Sequence, residues 1–540
     1  MDAFDYLIVG AGTAGCVVAA RLSERKDTTV LVLEAGGSDR TLWIQLPIGY
    51  GRTFFDRKIN WMYDTDPIAA LGGRTSYWPR GKVIGGSGSI NAMVYVRGQP
   101  GDFDDWAAAG NPGWSYDEVL PYFRRSEDHD GADSPHRGRG GPIHVTDILR
   151  TAHPLCQPFV ETAQALGFEA TADFNSPPGE GVGVYQINTD KGRRASSANG
   201  YLRPALRRAN VELRTRAHVT RILFEGTRAV GVEYRRGGRV ERVLARREVI
   251  LCGGAINSPQ LLQLSGIGAG GHLRAVGVAP VVDAPAVGQN LQDHLAVSYF
   301  YRANRPTLND ELRPLGGKLR AGLRYLFDRG GPLSMSVNQG GGFVRSDPAQ
   351  PRPNLQLYFS PVSYTQSPLS ERRLTHPDPF SAFLLSFNAC RPTSRGALSI
   401  CSPDPFVHPR IEPNYLATDH DVAEARAGVR LLRRLAATAP LCDIITDEIL
   451  PGRGRVSDDD LLQDFRDRAD TVYHPVGACR MGPEPRGCVV DARLRVHGAQ
   501  GLRVIDASIF PTITSGNTNA PTVMVAEKGA AMVLEDARAR

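Results

Sequence analysis

Nowhere does the chain hold about 18 or more consecutive apolar residues, so a bilayer-spanning helix is excluded on length alone. Met1 to Asp5 carries two acids and no basic stretch, and the apolar run behind it breaks at Gly10, unlike a secretory signal. The expected location is therefore the cytoplasm, with peripheral contact to the inner face of the membrane left open. Cysteine is sparse: the eight thiols are scattered from Cys16 to Cys488 with no CxxC pair and no metal-ligand spacing. This excludes a disulfide framework or a metal cluster as the organising principle, and no cysteine has a neighbouring base that would make it a nucleophile. There is no long run of like charge either. The 63 basic and 57 acidic residues leave a net charge of +6, and basic pairs such as Arg207-Arg208 and Arg246-Arg247 lie among acids. That distribution argues against nucleic acid as a partner, and a solvated arginine-rich surface accounts for it more simply than docking to anionic lipid does. No fixed-period repeat or low-complexity tract is present.

What the chain does have is length and apolar content. Its 540 residues, 41% of them hydrophobic, support two to four packed units of about 150 residues each. The opening Phe4-Asp5-Tyr6-Leu7-Ile8-Val9 reads as a short buried strand. A glycine turn and a helical pattern from Ala14 to Leu22 follow, then a second strand from Thr29 to Leu33 ending at Glu34. Gly10-Ala11-Gly12-Thr13-Ala14-Gly15 thus lies between a strand and a helix, where the GxGxxG fingerprint belongs. Gly10 permits the turn, Gly12 lets the backbone approach a pyrophosphate, and Gly15 allows close helix packing, while the helix N-terminus offers N–H groups to phosphate. The Glu34 carboxylate suits ribose hydroxyls and would repel a 2′-phosphate, which disfavours NADP. The motif alone leaves FAD and NAD open.

From Gly36 to Gly101 the chain is rich in Gly and Arg and poor in helical periodicity, which suggests ordered loops over a ligand. Strand-like segments follow at Val211 to Thr215, Val219 to Phe224, Val230 to Tyr234 and Glu248 to Leu251. From about Ser298 to Ile449 strand runs such as Leu355 to Phe359 alternate with helical runs such as Val422 to Ala436, which reads as a second domain. Gly501 to Asp506 is again a buried strand ending in an acid, with a helix from Pro521, so the chain returns to its first domain.

Three longer signatures go further. Arg80 to Gly98 reads RGKVIGGSGSINAMVYVRG, Gly254 to Gly268 reads GAINSPQLLQLSGIG, and Val287-Gly288-Gln289-Asn290-Leu291-Gln292-Asp293-His294 follows, with Tyr473-His474-Pro475 and Gly516-Asn517-Thr518-Asn519 near the end. In this order they resemble the glucose–methanol–choline (GMC) oxidoreductase family over nearly the whole chain. The resemblance implies a mixed α/β fold. A Rossmann-like FAD-binding domain would take the discontinuous segments 1–157, 192–297 and 463–540, and a sheet-and-helix substrate-binding domain 158–191 and 298–462. It implies FAD as cofactor, with Gly10, Gly12, Thr13, Ala14, Gly15, Glu34, Ala35, Val83, Gly86, Asn91, Ala92, Met93, Val94, Val219, Asp506, Ala507, Asn517 and Asn519 around it. Some members of the family link FAD covalently through a histidine just before the loop asparagine. Here that position is Ile90, so noncovalent binding is expected.

Alcohol oxidation removes a hydride from carbon and a proton from oxygen. Flavin N5 takes the first, and a base within hydrogen-bond reach must take the second. By resemblance His474 is that base, and Asn517 stabilises the forming alkoxide by donating to it. An alternative for Asn517 is a cap on the Pro521 helix, and structural hydrogen bonding is expected for His144 and His294. Choline-oxidising relatives would need a carboxylate near Gln339, where glutamine carries no charge. The Leu42 to Pro47 segment with Trp43, Tyr358-Phe359 and Tyr364 could wall a pocket for a partly apolar alcohol. The expected activity is an FAD-dependent alcohol dehydrogenase passing electrons to a quinone or another acceptor. Three other activities stay open: a peroxide-forming oxidase using O2, a choline dehydrogenase, and a flavin-containing hydroxynitrile lyase. The sequence leaves the oligomeric state open.

Overall fold

The computed structural model describes residues 2–365 and 376–539. The opening apolar run forms β1 (Ala3–Val9), the glycine turn leads into α1 (Thr13–Leu22), and β2 (Val30–Glu34) follows. Every residue of β2 is buried, the pattern of a strand covered on both faces. From later in the chain come β3 (Val211–Thr215), β4 (His218–Glu225), β5 (Arg228–Arg236), β6 (Arg239–Leu251) and then α2 (Gly254–Leu264). They complete a seven-stranded sheet in the order β3-β2-β1-β6-β5-β4, with Leu502–Val504 also paired to β6. Besides Leu502–Val504, β6 serves two neighbours along its length. Its first half, Arg239 to Leu244, pairs antiparallel with β5, and its second half, to Leu251, pairs parallel with β1. The glycine turn after β1 therefore sits at the carboxyl ends of the parallel strands, where open α/β sheets hold their ligands.

A second seven-stranded sheet is antiparallel throughout. Its labelled members are β7 (Leu295–Ala303), β8 (Gly340–Val344), β9 (Leu355–Ser360) and β10 (Ala382–Ala389). The order runs Ile445–Leu450, β7, β10, β9, β8, Gly181–Val184, with Asp470–Thr471 on the end of β7. Two-residue alternation divides this sheet's faces. Phe383, Leu385 and Phe387 of β10 join the apolar core, as do Val429 and Leu432 of a helix that packs on β10, whereas Leu384 and Ser386 face a cavity. The register sets Ser298 of β7 and Tyr358 of β9 on either side of Ser386, so the cavity side of the sheet is built from three adjacent strands.

Between β7 and β8 the chain forms α3 (Leu315–Asp328). The helix packed on β10 is α4 (Asp419–Ala437), and the chain closes with α5 (Asn519–Arg538). α5 lies against α1, where a buried Glu527 accepts from Arg21 through both carboxylate oxygens and from the Tyr201 hydroxyl. The loops read between Gly36 and Gly101 include short helices at Leu42–Gln45 and Tyr50–Thr53, too brief for their periodicity to stand out.

Candidate active site

A cavity of about 370 Å³ lies between the carboxyl ends of the parallel strands and the second sheet. At one end is the turn after β1. A methyl group on Gly15 would sit 1.9 Å from the Gly10 carbonyl oxygen, so only glycine lets α1 pack this close to the turn. At Gly12 the nearest atom to such a methyl is 3.8 Å away, and the residue lines the cavity. Glu34 is buried beside it and accepts hydrogen bonds from the Ala11 N–H at 2.8 Å and the Gly36 N–H at 2.7 Å. Burial pushes its carboxyl up to about 7, against which the two amides work. The N-terminus of α5 meets that of α1 here: the Thr13 hydroxyl donates to Asn519 Oδ1 at 3.0 Å, and neither helix has a side-chain cap. Two uncapped helix N-termini and an open glycine fit a diphosphate, and Glu34 fits a ribose.

Of the residues expected around the cofactor, Gly10, Gly12, Thr13, Ala14, Glu34, Ala35, Gly86, Asn91, Ala92, Met93, Val94, Val219, Asp506, Ala507, Asn517 and Asn519 line this one cavity. Gly15 and Val83 do not. Gly15 is spent on helix packing. Val83 is buried with Ile44, Ile59 and Ile90, and its carbonyl accepts from the Gly86 N–H to hold that turn. The Asp506 carboxylate is occupied by the Gly254 N–H, the Ser258 hydroxyl and the Ser508 N–H, so it anchors the start of α2. Asn91 is held by the buried guanidinium of Arg194 at 2.7 Å.

At the other end, His474 stands on a loop clamped by Asp293. The buried Asp293 carboxylate accepts from the His474 N–H at 2.8 Å, the Thr471 hydroxyl at 2.6 Å and the Tyr415 hydroxyl. Arg80 reaches the Tyr473 carbonyl at 2.7 Å. Tyr473 and Met93 both line the cavity with φ of 70° and 64°, a left-handed backbone uncommon outside glycine and more frequent at functional sites.

The rings around His474 form a chain whose proton positions follow from its fixed end. His294 Nε2 lies 3.0 Å from the Cys390 carbonyl, which can only accept, so Nε2 carries the hydrogen. A neutral His294 then accepts at Nδ1, which lies 3.0 Å from His474 Nδ1, and His474 must donate there. The lone pair of His474 is left on Nε2, facing the Asn517 amide nitrogen at 3.1 Å, while Asn517 Oδ1 accepts from Gln356 at 3.3 Å. Both rings stay neutral. Burial lowers His294 to about 4, and burial, then His294, then Arg80 hold His474 well below the ordinary imidazole value.

His294, expected only to make structural hydrogen bonds, thus bonds directly to His474. His144 pairs with Asp128 away from the cavity. Asn517 does not cap α5, whose cap position is Thr518. Among the expected wall aromatics, Tyr358 and Tyr364 line the cavity. Phe359 stacks on Phe159 in the core and Trp43 is turned outward with Arg52 over its ring. Tyr50, Phe54, Trp61, His218 and Asn338 line the cavity without having been picked out, although His218 and Asn338 adjoin Val219 and Gln339, which were; Arg80, the first residue of the Arg80–Gly98 signature, lines it as well. Gln339 lies behind the wall, its side chain bonded to the His153 N–H and the Ser336 carbonyl.

Two models described as GMC oxidoreductase match the chain, the N-terminal one over residues 4–296 and the C-terminal one over residues 392–526. Human mitochondrial choline dehydrogenase is 43% identical over 544 residues, covering 98% of this chain and 90% of that protein. The alcohol dehydrogenase (acceptor) of Pseudomonas putida is 40% identical over 541 residues, covering 98% and 96%. Among solved structures, pyridoxine 4-oxidase from Mesorbium loti superposes with a TM-score of 0.88 at 32% identity, over 98% of each chain. Formate oxidase superposes with a TM-score of 0.93 at 27% identity, over 100% of this chain and 99% of that one.

Proposed function

The chain belongs to the GMC oxidoreductase family, and from that premise we propose that it oxidises an uncharged, partly apolar alcohol, with His474 taking the hydroxyl proton and Asn517 steadying the oxygen. As a member it is an FAD flavoprotein acting on CH–OH donors, and bound FAD supplies the hydride acceptor. With isoleucine at position 90 the cofactor is held by noncovalent contacts.

The observation that carries this reading is the lone pair on His474 Nε2, beside the Asn517 amide. A substrate hydroxyl entering between them donates to Nε2 and accepts from the amide. Proton removal then creates negative charge where a donor already points. Asn517 suits this place because its amide does not compete for the proton, and Gln356 fixes which way it faces. Because burial and two neighbours depress the His474 pKa, the base is already neutral below the ordinary histidine range. The rate of flavin reduction is therefore expected to stay level as pH falls from 8 through about 6.5 and to drop only well below that. Single-turnover rates across pH check this; a fall centred at about 6.5 or above counts against a depressed base.

The walls support this substrate class. The only carboxylates among the described lining residues are Glu34 and Asp506, both bonded to backbone amides at the glycine-turn side. Near His474 the lining is Tyr50, Phe54, Tyr358, Tyr473 and Asn338. A quaternary ammonium would find aromatic faces but no anion there. Choline remains the second reading because of those faces, with Phe54 and Tyr473 edge to face at 5.2 Å, and because of the choline dehydrogenase relatives. Anaerobic mixing separates the two: short primary alcohols are expected to bleach the flavin and choline to do so far less. Bleaching by choline alone would reverse the assignment, and no bleaching by any alcohol would favour a non-redox lyase. Reoxidation by a quinone rather than by O2 would identify a dehydrogenase.

A further inference from the structure

α3 is amphipathic the wrong way round. At 3.6 residues per turn, Leu315, Leu319, Leu323, Leu326 and Phe327 share an arc of about 120°. That arc faces out: their exposures are 85%, 65%, 45%, 72% and 87%. The residues turned inward are Ala321 and Tyr325, the latter anchored by its hydroxyl to the Gly192 carbonyl at 2.9 Å. Isolated exposed leucines are ordinary, but five large apolar side chains on one helix face form a patch that water does not favour. Through Pro332–Ser334 the helix packs toward Pro47–Gly49 and the short helix Leu42–Gln45, where Leu42 and Trp43 are exposed as well.

The charges beside the arc have one sign. On the helix wheel Lys318 flanks it on one side and Arg320 and Arg324 on the other. Lys318 and Arg320 make no ion pair among the described residues, and Arg324 reaches Asp328 only at 3.8 Å. The acids nearby, Glu311 and Asp328, sit at the two ends. A broad apolar stripe bordered by exposed cations is the composition of a helix lying in a lipid–water interface, its side chains among the acyl chains and its cations at anionic headgroups.

We propose that α3 docks the protein on the surface of an anionic phospholipid bilayer, lying parallel to it without crossing. No helix among the described residues is long and apolar enough to span. Ala321 on the inner face of α3 belongs to the same apolar cluster as Tyr50, Met93 and Val337, three residues that line the cavity. Docking therefore sets one wall of the site against the membrane, the phase in which apolar alcohols and quinones concentrate.

Flotation of the FAD-loaded protein with vesicles tests this without any reference to turnover. The wild type is expected to float with vesicles of equal parts phosphatidylcholine and phosphatidylglycerol, and much less with phosphatidylcholine alone. The triple variant Leu319→Ser/Leu326→Ser/Phe327→Ser is expected to lower the bound fraction by about tenfold or more, with flavin content unchanged because all three side chains are exposed. Lys318→Glu/Arg320→Glu should remove the preference for anionic vesicles. The proposal fails if the wild type stays in solution at low salt or if the serine variant floats equally well. It also fails if light scattering shows a wild-type dimer that the serine variant turns into a monomer, since the face would then be an interface between copies of the chain.

Discussion

Alanine at position 474 is expected to slow anaerobic flavin reduction by alcohol by about 10³-fold, the usual worth of a general base, while the purified protein stays yellow. The hydrogen bonds of His474 run to His294, Asp293 and Asn517, not to Glu34 or the glycine turn, so losing the ring leaves the glycine-turn contacts in place. What is lost is the single lone pair whose position is dictated from the Cys390 carbonyl through His294. In the proposed assignment Asn517 and His474 act on one oxygen, so adding Asn517→Ala to His474→Ala should cost little more than the histidine alone, as groups that work as a unit are not additive. Stopped-flow reduction of the single and double variants provides the measurement. A loss under about tenfold for His474→Ala would remove the histidine from its role.

The second large effect is expected at the glycine turn, where two one-carbon changes should part company. Gly15→Ala places a methyl 1.9 Å from the Gly10 carbonyl oxygen, a distance no rotamer relieves, so α1 must move off the turn. A destabilisation of about 2–4 kcal/mol is expected, and the protein should purify nearly free of flavin. Gly12→Ala meets nothing closer than 3.8 Å within the chain. It should leave the thermal stability of the cofactor-free protein almost unchanged and still weaken FAD binding, because its methyl enters the space meant for the ligand. Gly37→Ala, with no atom within 4 Å, is the control. Flavin absorbance per protein and melting of the stripped protein separate the three. Equal loss of stability in Gly12→Ala and Gly15→Ala would contradict the distinct uses assigned to these glycines.

The cofactor end of the site was legible because its information is local. A strand, a glycine turn, a helix and an acid lie within the first 34 residues, and each glycine has a use that spacing reveals. The catalytic end was legible only in part. His474 and Asn517 stood in recognisable segments, but the partner that sets the tautomer, His294, lies 180 residues from His474 and meets it only because Asp293 draws the later loop onto β7. The cavity walls were the least legible. Tyr358 and Phe359 are neighbours on one strand and so face opposite ways, a choice fixed by register and not by residue type. α3 shows the same limit for helices: periodicity says that an apolar stripe exists, and only packing says that this one points outward.

The hydrogen bond between Thr13 and Asn519 joins positions 506 residues apart, and this has a consequence for biosynthesis. At about 5–20 residues per second, the ribosome needs roughly 25–100 s after making the glycine turn before the second helix N-terminus exists. Leu502–Val504 also arrives only then, at β6. From the time β6 is made, the nascent chain exposes it where this last parallel strand will pair, and throughout the interval half of the proposed diphosphate cradle is missing. The complete cradle for the flavin's diphosphate is thus expected only once nearly the whole chain has been made.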